Sequence, residues 1–190
     1  MTYTAKQNQQ YPTIRLRAVE PEDLDLMYSI ENDTRYWRYS STTVPYSRFA
    51  LREYISNSQN DIFADGQVRM VIESVTENED STKTTAIGFA DLFNFDAKHL
   101  RAEIGLFILP EYQGNHYGHS ILEALCNYAQ SLYLHQIYAI IATTNEPATQ
   151  LFSHFGFNAS ALLHDWLRVE DGFVDAVVWQ RCLSASPTTM

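Results

Sequence analysis

The run Gln113-Gly114-Asn115-His116-Tyr117-Gly118 joins an apolar segment to an amphipathic one through small and flexible residues. Placed at the start of a helix, such a run lies where the first backbone N–H groups have no intrahelical partner, and it can hold a phosphate. It lacks the Gly-Lys-Ser/Thr ending of a Walker A loop and the G-x-G-x-x-G spacing of a dinucleotide site, and an ordinary turn has a similar composition. Two carboxylates also stand among apolar neighbours, Asp91 in TTAIGFADLFNF and Glu103 in AEIGLFIL. Each is either a chemically useful acid or the solvent-facing member of an alternating strand. His116, His119, His135, His154 and His164 fall at no metal-binding spacing, so no metal is assigned.

The elements around the loop are legible. Ala102 to Leu109 is apolar except for Glu103, and Pro110 cannot extend a ladder, which predicts a strand ending there. Ile121, Leu122, Leu125, Tyr128, Ala129 and Leu132 recur at helical spacing, so a helix is expected from about Gly118. Upstream, Thr13 to Arg17 alternates as a strand, and Pro21 with Glu22 and Asp23 opens a short helix. Ser47 to Asn57 predicts a helix burying Phe49, Leu51, Tyr54 and Ile55. Gln67–Ser74 and Thr85–Phe95 read as paired strands around an exposed loop, Val75–Thr84. Gln136–Thr143 predicts a strand, Asn145 and Pro147 start a helix over Ala148–Phe155, and Leu162–Val169 with Phe173–Cys182 predicts a closing hairpin.

With 190 residues the chain can bury a core as one domain. Its net charge of −10 argues against a nucleic-acid partner and is compatible with a cationic one, or simply with solubility. Cys126 and Cys182 lack metal spacing and read as buried, reduced thiols of a cytoplasmic protein. No membrane-length apolar run occurs, and the polar start lacks a signal-peptide core, so no membrane association is expected.

The loop and its strand resemble motif A of the GNAT superfamily of acyl-CoA-dependent N-acyltransferases, in which (Arg/Gln)-x-x-Gly-x-(Gly/Ala) grips the coenzyme A pyrophosphate. Gln113 and Gly118 match its ends, and His116 takes the place of the usual first glycine. TNEPATQLFSHFGF is similar to motif B, with Asn145, Ala148, Leu151, Gly156 and Phe157 matching and Phe152 at the usual tyrosine. LRAVEPEDLDLMYSIEN resembles the first strand and helix of the spermidine/diamine and ribosomal-protein acetyltransferase branch.

This resemblance implies an α/β (α+β) fold with a mixed sheet of about seven strands, a splayed fourth and fifth pair and about four helices. It implies one domain over 12–183 with flexible tails at 1–11 and 184–190. It further implies acetyl transfer from acetyl-CoA to a primary amine, of a polyamine or diamine or of a peptide N-terminus; a binding module without turnover is the competing class.

Coenzyme contacts are expected from Phe107, Ile108 and Leu109, from Gln113, Gly114, Asn115, His116, Tyr117, Gly118 and His119, and from Asn145, Ala148 and Phe152. Tyr36, Trp37, Tyr39 and Tyr46 are expected to wall an amine, since ring faces attract cations. Glu103 and Asp91 are the candidate bases, because a lysine-like amine has a pKa of about 10.4 and must lose a proton before attack. Phe152 has no proton for the leaving thiolate, leaving Ser153, His154, Tyr117 or water. Thr42-Thr43-Val44 replaces the acidic pair of the polyamine enzymes, which keeps a peptide amine open as acceptor. A homo-oligomer is compatible with this family.

Overall fold

The computed structural model describes residues 3–4, 11–37, 42–78 and 81–183. Eight strands form one sheet among them: β1 (Tyr3–Thr4), β2 (Ile14–Ala18), β3 (Val68–Asn78), β4 (Ser81–Asp96), β5 (Arg101–Ile108), β6 (Gln136–Ala142), β7 (Asn158–Val169) and β8 (Gly172–Cys182). Their spatial order is β1-β2-β3-β4-β5-β6-β8-β7, antiparallel throughout except between β5 and β6. Six helices join them: α1 (Leu24–Glu31), α2 (Thr34–Trp37), α3 (Arg48–Asn57), α4 (Ile62–Asp65), α5 (Tyr117–Ser131) and α6 (Glu146–His154). The four longer ones are those expected, and α2 and α4 add four residues each.

The alternation of side chains along each strand divides the core between the two faces of the sheet. On one face Leu16, Met70, Leu92, Ala102 and Ile104 pack against Ile121, Leu125 and Ala129 of α5 and Phe152 of α6. On the other, Val71, Phe89 and Phe107 meet Met27 and Ile30 of α1 and Leu51 of α3. The first turn of α3 is capped by Ser47, whose side chain accepts from the Ala50 N–H at 3.0 Å.

Several local expectations change. Pairing of β3 with β4 continues to Asn78 and Ser81, so most of the segment expected as a loop is an exposed hairpin. Phe49 is 65% exposed because α3 packs through Leu51, Tyr54 and Ile55 only. Cys126 is buried, which pushes its thiol up to about 11, whereas Cys182 ends β8 exposed, just before the buried Leu183. At the N-terminal end, Tyr3 and Thr4 pair with Leu16 and Arg15, and Tyr11 stacks on His119 at 3.6 Å. Tyr3–Thr4 and Tyr11 are thus each in contact with the domain, and the rest of the tails expected at 1–11 and 184–190 lies outside the described residues.

Candidate active site

β5 and β6 share only three register pairs, Arg101 with Gln136, Ala102 with Ile137 and Glu103 with Tyr138. Beyond them the two strands continue to Ile108 and Ala142 without pairing, which makes the expected splay. Leu109 donates to the Ile87 carbonyl at 2.8 Å, so antiparallel alternation turns the polar backbone of Phe107 and Gly105 toward β4. Leu106 and Ile108 consequently turn theirs into the gap. Of the trio expected to pair with an extended ligand, only Ile108 faces it; Phe107 and Leu109 are committed to β4. At this level β4 must approach very closely: a Cβ on Gly88 would lie 2.0 Å from the Phe107 carbonyl oxygen, so only glycine fits.

The gap opens at its wide end onto the loop before α5. There the N–H of Gln113 donates to Pro110 and that of His119 to His116, so these two are spent internally. Among the described residues, the N–H groups of Gly114, Asn115, His116, Tyr117 and Gly118 have no protein acceptor, and they gather at the positive end of a 15-residue helix. The Gln113 side chain donates to the Ile108 carbonyl at 2.7 Å, and that of Asn115 to the Gln113 carbonyl at 3.2 Å, fixing the loop against the end of β5. Gln113 thus anchors the turn through its side chain and offers no free N–H. His116 has φ +62°, a left-handed conformation that its usual glycine counterpart would adopt without strain.

Asn145 caps α6, its side chain accepting from the Ala148 N–H at 3.2 Å, so its amide group is held at the end of β6. Ala148 packs beneath it on the α5 side of the sheet. Phe152 is buried at 5% exposure, edge-on to Phe157, and carries no proton to give. The other proposed acids are poorly placed. Tyr117 shares a hydrogen bond with Ser74 on β3, two strands from β5, while Ser153 is exposed and His154 lies beside His119. His119 is held under Tyr11, and burial pushes its pKa down.

The opposite face of the fork carries the carboxylates. Glu103, Gly105 and Phe107 alternate along it, and a Cβ on Gly105 would press on Phe93 and Asp91 at 3.2–3.3 Å, so β5 packs closely over these side chains and glycine is the residue that fits without displacing them. Burial raises the Glu103 pKa, opposed by the hydrogen bond from Asn94, at 2.9 Å, and by the neighbouring Tyr138 phenol. Asp91 is placed differently from the expectation of a free base. Arg69 grips both its oxygens, at 2.7 and 3.2 Å, and also pairs with Glu31 of α1. Burial raises the Asp91 pKa against the pull of Arg69, but a carboxylate held bidentately has little capacity left for an incoming amine. Tyr54 of α3 lies by this group, its pKa raised by burial.

Of the aromatic wall, Tyr36 packs edge-on against Phe107, with ring centroids 4.7 Å apart, and so stands on the same face as Glu103. Trp37 donates to the Glu31 carbonyl at 2.9 Å and borders a cleft of about 300 Å³ with Thr42, Thr43 and Glu170. Tyr46 is 41% exposed, its backbone clasped by the Asn32 amide through two hydrogen bonds. Tyr39 lies outside the described residues. Sequence reasoning missed Arg69, Glu31, Asn94 and Tyr138, which become neighbours only through strand register and helix docking. Among the described residues no cluster has the make-up of a metal site, and no helix is long and apolar enough to cross a membrane.

Comparison with known proteins agrees with this geometry. The sequence model of the acetyltransferase (GNAT) domain matches residues 13–158. Spermidine N(1)-acetyltransferase of Vibrio cholerae is 28% identical over 145 residues, 76% of this chain and 78% of that protein. The Escherichia coli K12 enzyme of the same name is 28% identical over 156 residues, 81% of this chain and 78% of its own. The structure of V. cholerae spermidine N-acetyltransferase in complex with CoA and spermine superimposes with a TM-score of 0.78 at 24% identity, covering 94% of this chain and 98% of the other. A dodecameric structure of that enzyme gives a TM-score of 0.73 at 26% identity, covering 95% of this chain and 98% of the other. With the fork, the loop and the domain match in agreement, this chain belongs to the GNAT family and is an acetyl-CoA-dependent N-acetyltransferase.

Proposed function

We propose that this chain acetylates a primary amine of a polyamine or diamine, with the coenzyme lying in the β5/β6 fork and the amine entering from the α1–α3 face. The observation that carries this reading is the continuity of three features: five free N–H groups, an unpaired strand gap, and a carboxylate at its vertex. The N–H groups of Gly114 to Gly118 hold the pyrophosphate at the helix end. Leu106 and Ile108 pair with the amide-bearing arm, and Asn145 closes on it from β6. Acetyl-CoA supplies the activated acyl group. Glu103 takes the proton of the attacking amine, directly or through one water. Since Phe152 is apolar, the thiolate departs without a side-chain acid there, which its low basicity near neutral pH tolerates.

Polyamine as the acceptor is supported by the net charge of −10, by the Glu103 carboxylate at the vertex of the fork, and by the names of the relatives. Oligomer formation is supported by the dodecameric relative. One observation favours a less charged peptide amine: the neutral Thr42-Thr43-Val44 stands at the rim of the Trp37 cleft. The test is acetyl-CoA consumption with spermidine, spermine, lysine and short peptides, alongside calorimetry of acetyl-CoA binding. Turnover of the polyamines is expected. Turnover of peptides alone would transfer the assignment to protein N-termini, and binding without turnover of any amine would overturn it.

The phosphate loop has its own test in His116→Asp. Aspartate tolerates a left-handed conformation better than most residues, and its charge suits a helix N-terminus, so the fold should keep its melting temperature. The same charge faces the pyrophosphate, and acetyl-CoA affinity is expected to fall by about tenfold or more, some 1.4 kcal/mol. Unchanged affinity would move the coenzyme site away from this loop.

A further inference from the structure

The Glu103 carboxylate sits at the vertex of the fork, and two side chains that no sequence motif marks converge on it. Asn94 comes from the irregularity where β4 register shifts between Phe93 and Asp96. Its φ of +50° is a left-handed conformation, adopted here by a residue whose amide reaches Glu103 Oε2 at 2.9 Å. Tyr138 comes from β6 as the register partner of Glu103, on the same face of the sheet, so its phenol stands beside the carboxylate. Beyond this pair the strands part, so the clamp closes at the last point where β6 reaches β5.

We propose that Asn94 and Tyr138 are positioning residues that hold Glu103 as an oriented, ionised base at the fork of β5 and β6. The proposal rests on Glu103 being the base, but the clamp itself is a property of this chain alone. The Asn94 amide donates to the carboxylate and the Tyr138 phenol is the donor group beside it; both favour its charged form, while burial opposes it. The nearby charges are Arg101 on β5 and Asp96 on β4, which pair with one another at 3.1 Å and offset each other at Tyr138. The two donors therefore set both the direction in which Glu103 points and the pH at which it accepts a proton. A bulge in β4 at this place has a purpose: without the extra residue, the Asn94 side chain would not point at β5.

The experiment is a carbon-13 NMR titration of the glutamate carboxyl groups, with the Glu103 resonance assigned by its loss in Glu103→Gln. Tyr138→Phe removes one oxygen and keeps the ring; Asn94→Gly removes the amide and accepts the φ. Each is expected to raise the Glu103 pKa by roughly one unit, with acetyl-CoA affinity unchanged. The acid limb of kcat/KM with spermidine and acetyl-CoA is expected to move upward by the same amount. An unmoved Glu103 titration in Tyr138→Phe would overturn the clamp. A moved titration with an unmoved acid limb would leave the clamp standing and overturn Glu103 as the base.

Discussion

Replacing Glu103 by glutamine is expected to lower kcat by about 10²–10⁴-fold, the usual worth of general acid–base assistance, with acetyl-CoA affinity intact. Glutamine keeps the size of the side chain and remains within reach of Asn94, so the fork retains its shape. What it loses is the ability to take a proton. An aliphatic amine with a pKa of about 10.4 is almost entirely ammonium at neutral pH and has no lone pair with which to attack. The sign of the pH response follows. In the wild type, activity rises with pH as Glu103 deprotonates, at a pH above the ordinary glutamate range because burial raises its pKa. In the variant this limb disappears, and activity climbs tenfold per unit toward the amine's own pKa. Stopped-flow turnover across pH 5–10 reads both effects, and a variant with wild-type turnover and the same acid limb would remove Glu103 from the chemistry.

The parts of this site legible in the sequence are those made by neighbouring residues. Pro110, the small residues 113–118 and the apolar stripe from Ile121 specify strand, loop and helix within one stretch, and Asn145 with Pro147 specifies the start of α6. Each is a local matter of a missing N–H, a cap or a period. What stayed hidden depends on distance along the chain. Arg69 meets Asp91 across 22 residues and Glu31 across 38, through β3–β4 register and the docking of α1. For that reason Asp91 looked like a free acid amid apolar neighbours and is in fact an ion-pair partner. Asn94 reaches Glu103 only because the ladder slips, and a register shift leaves no mark in composition. The hairpin beyond Ser74 was obscured in the same way, since polar residues on an exposed ladder resemble a loop.

Arg69→Ala should be the most damaging single substitution on the acceptor side of the sheet. The guanidinium lies over the Phe89 ring at 5.6 Å and holds Asp91 from β4 and Glu31 from α1, tying that helix to the strands beneath it. Alanine leaves two carboxylates facing each other with their cation gone. Breaking a buried pair costs about 3–5 kcal/mol, and the lower end applies here because each carboxylate keeps some contact with water. For a chain of this size, 3 kcal/mol corresponds to a fall in melting temperature of about 6–12 °C. The pH dependence separates this cause from a simple cavity. Without Arg69, burial and the neighbouring Glu31 carboxylate hold the folded-state pKa of Asp91 above its unfolded value. The penalty is therefore full at neutral pH and is relieved as pH falls through that raised value, so wild type and variant should converge toward pH 4. Adding Asp91→Asn should recover part of the loss at pH 7, because it deletes one of the stranded charges. A deficit constant from pH 4 to pH 8 would mean that Arg69 acts by packing on Phe89 alone, with α1 held over the acceptor face by its apolar residues and not by charge.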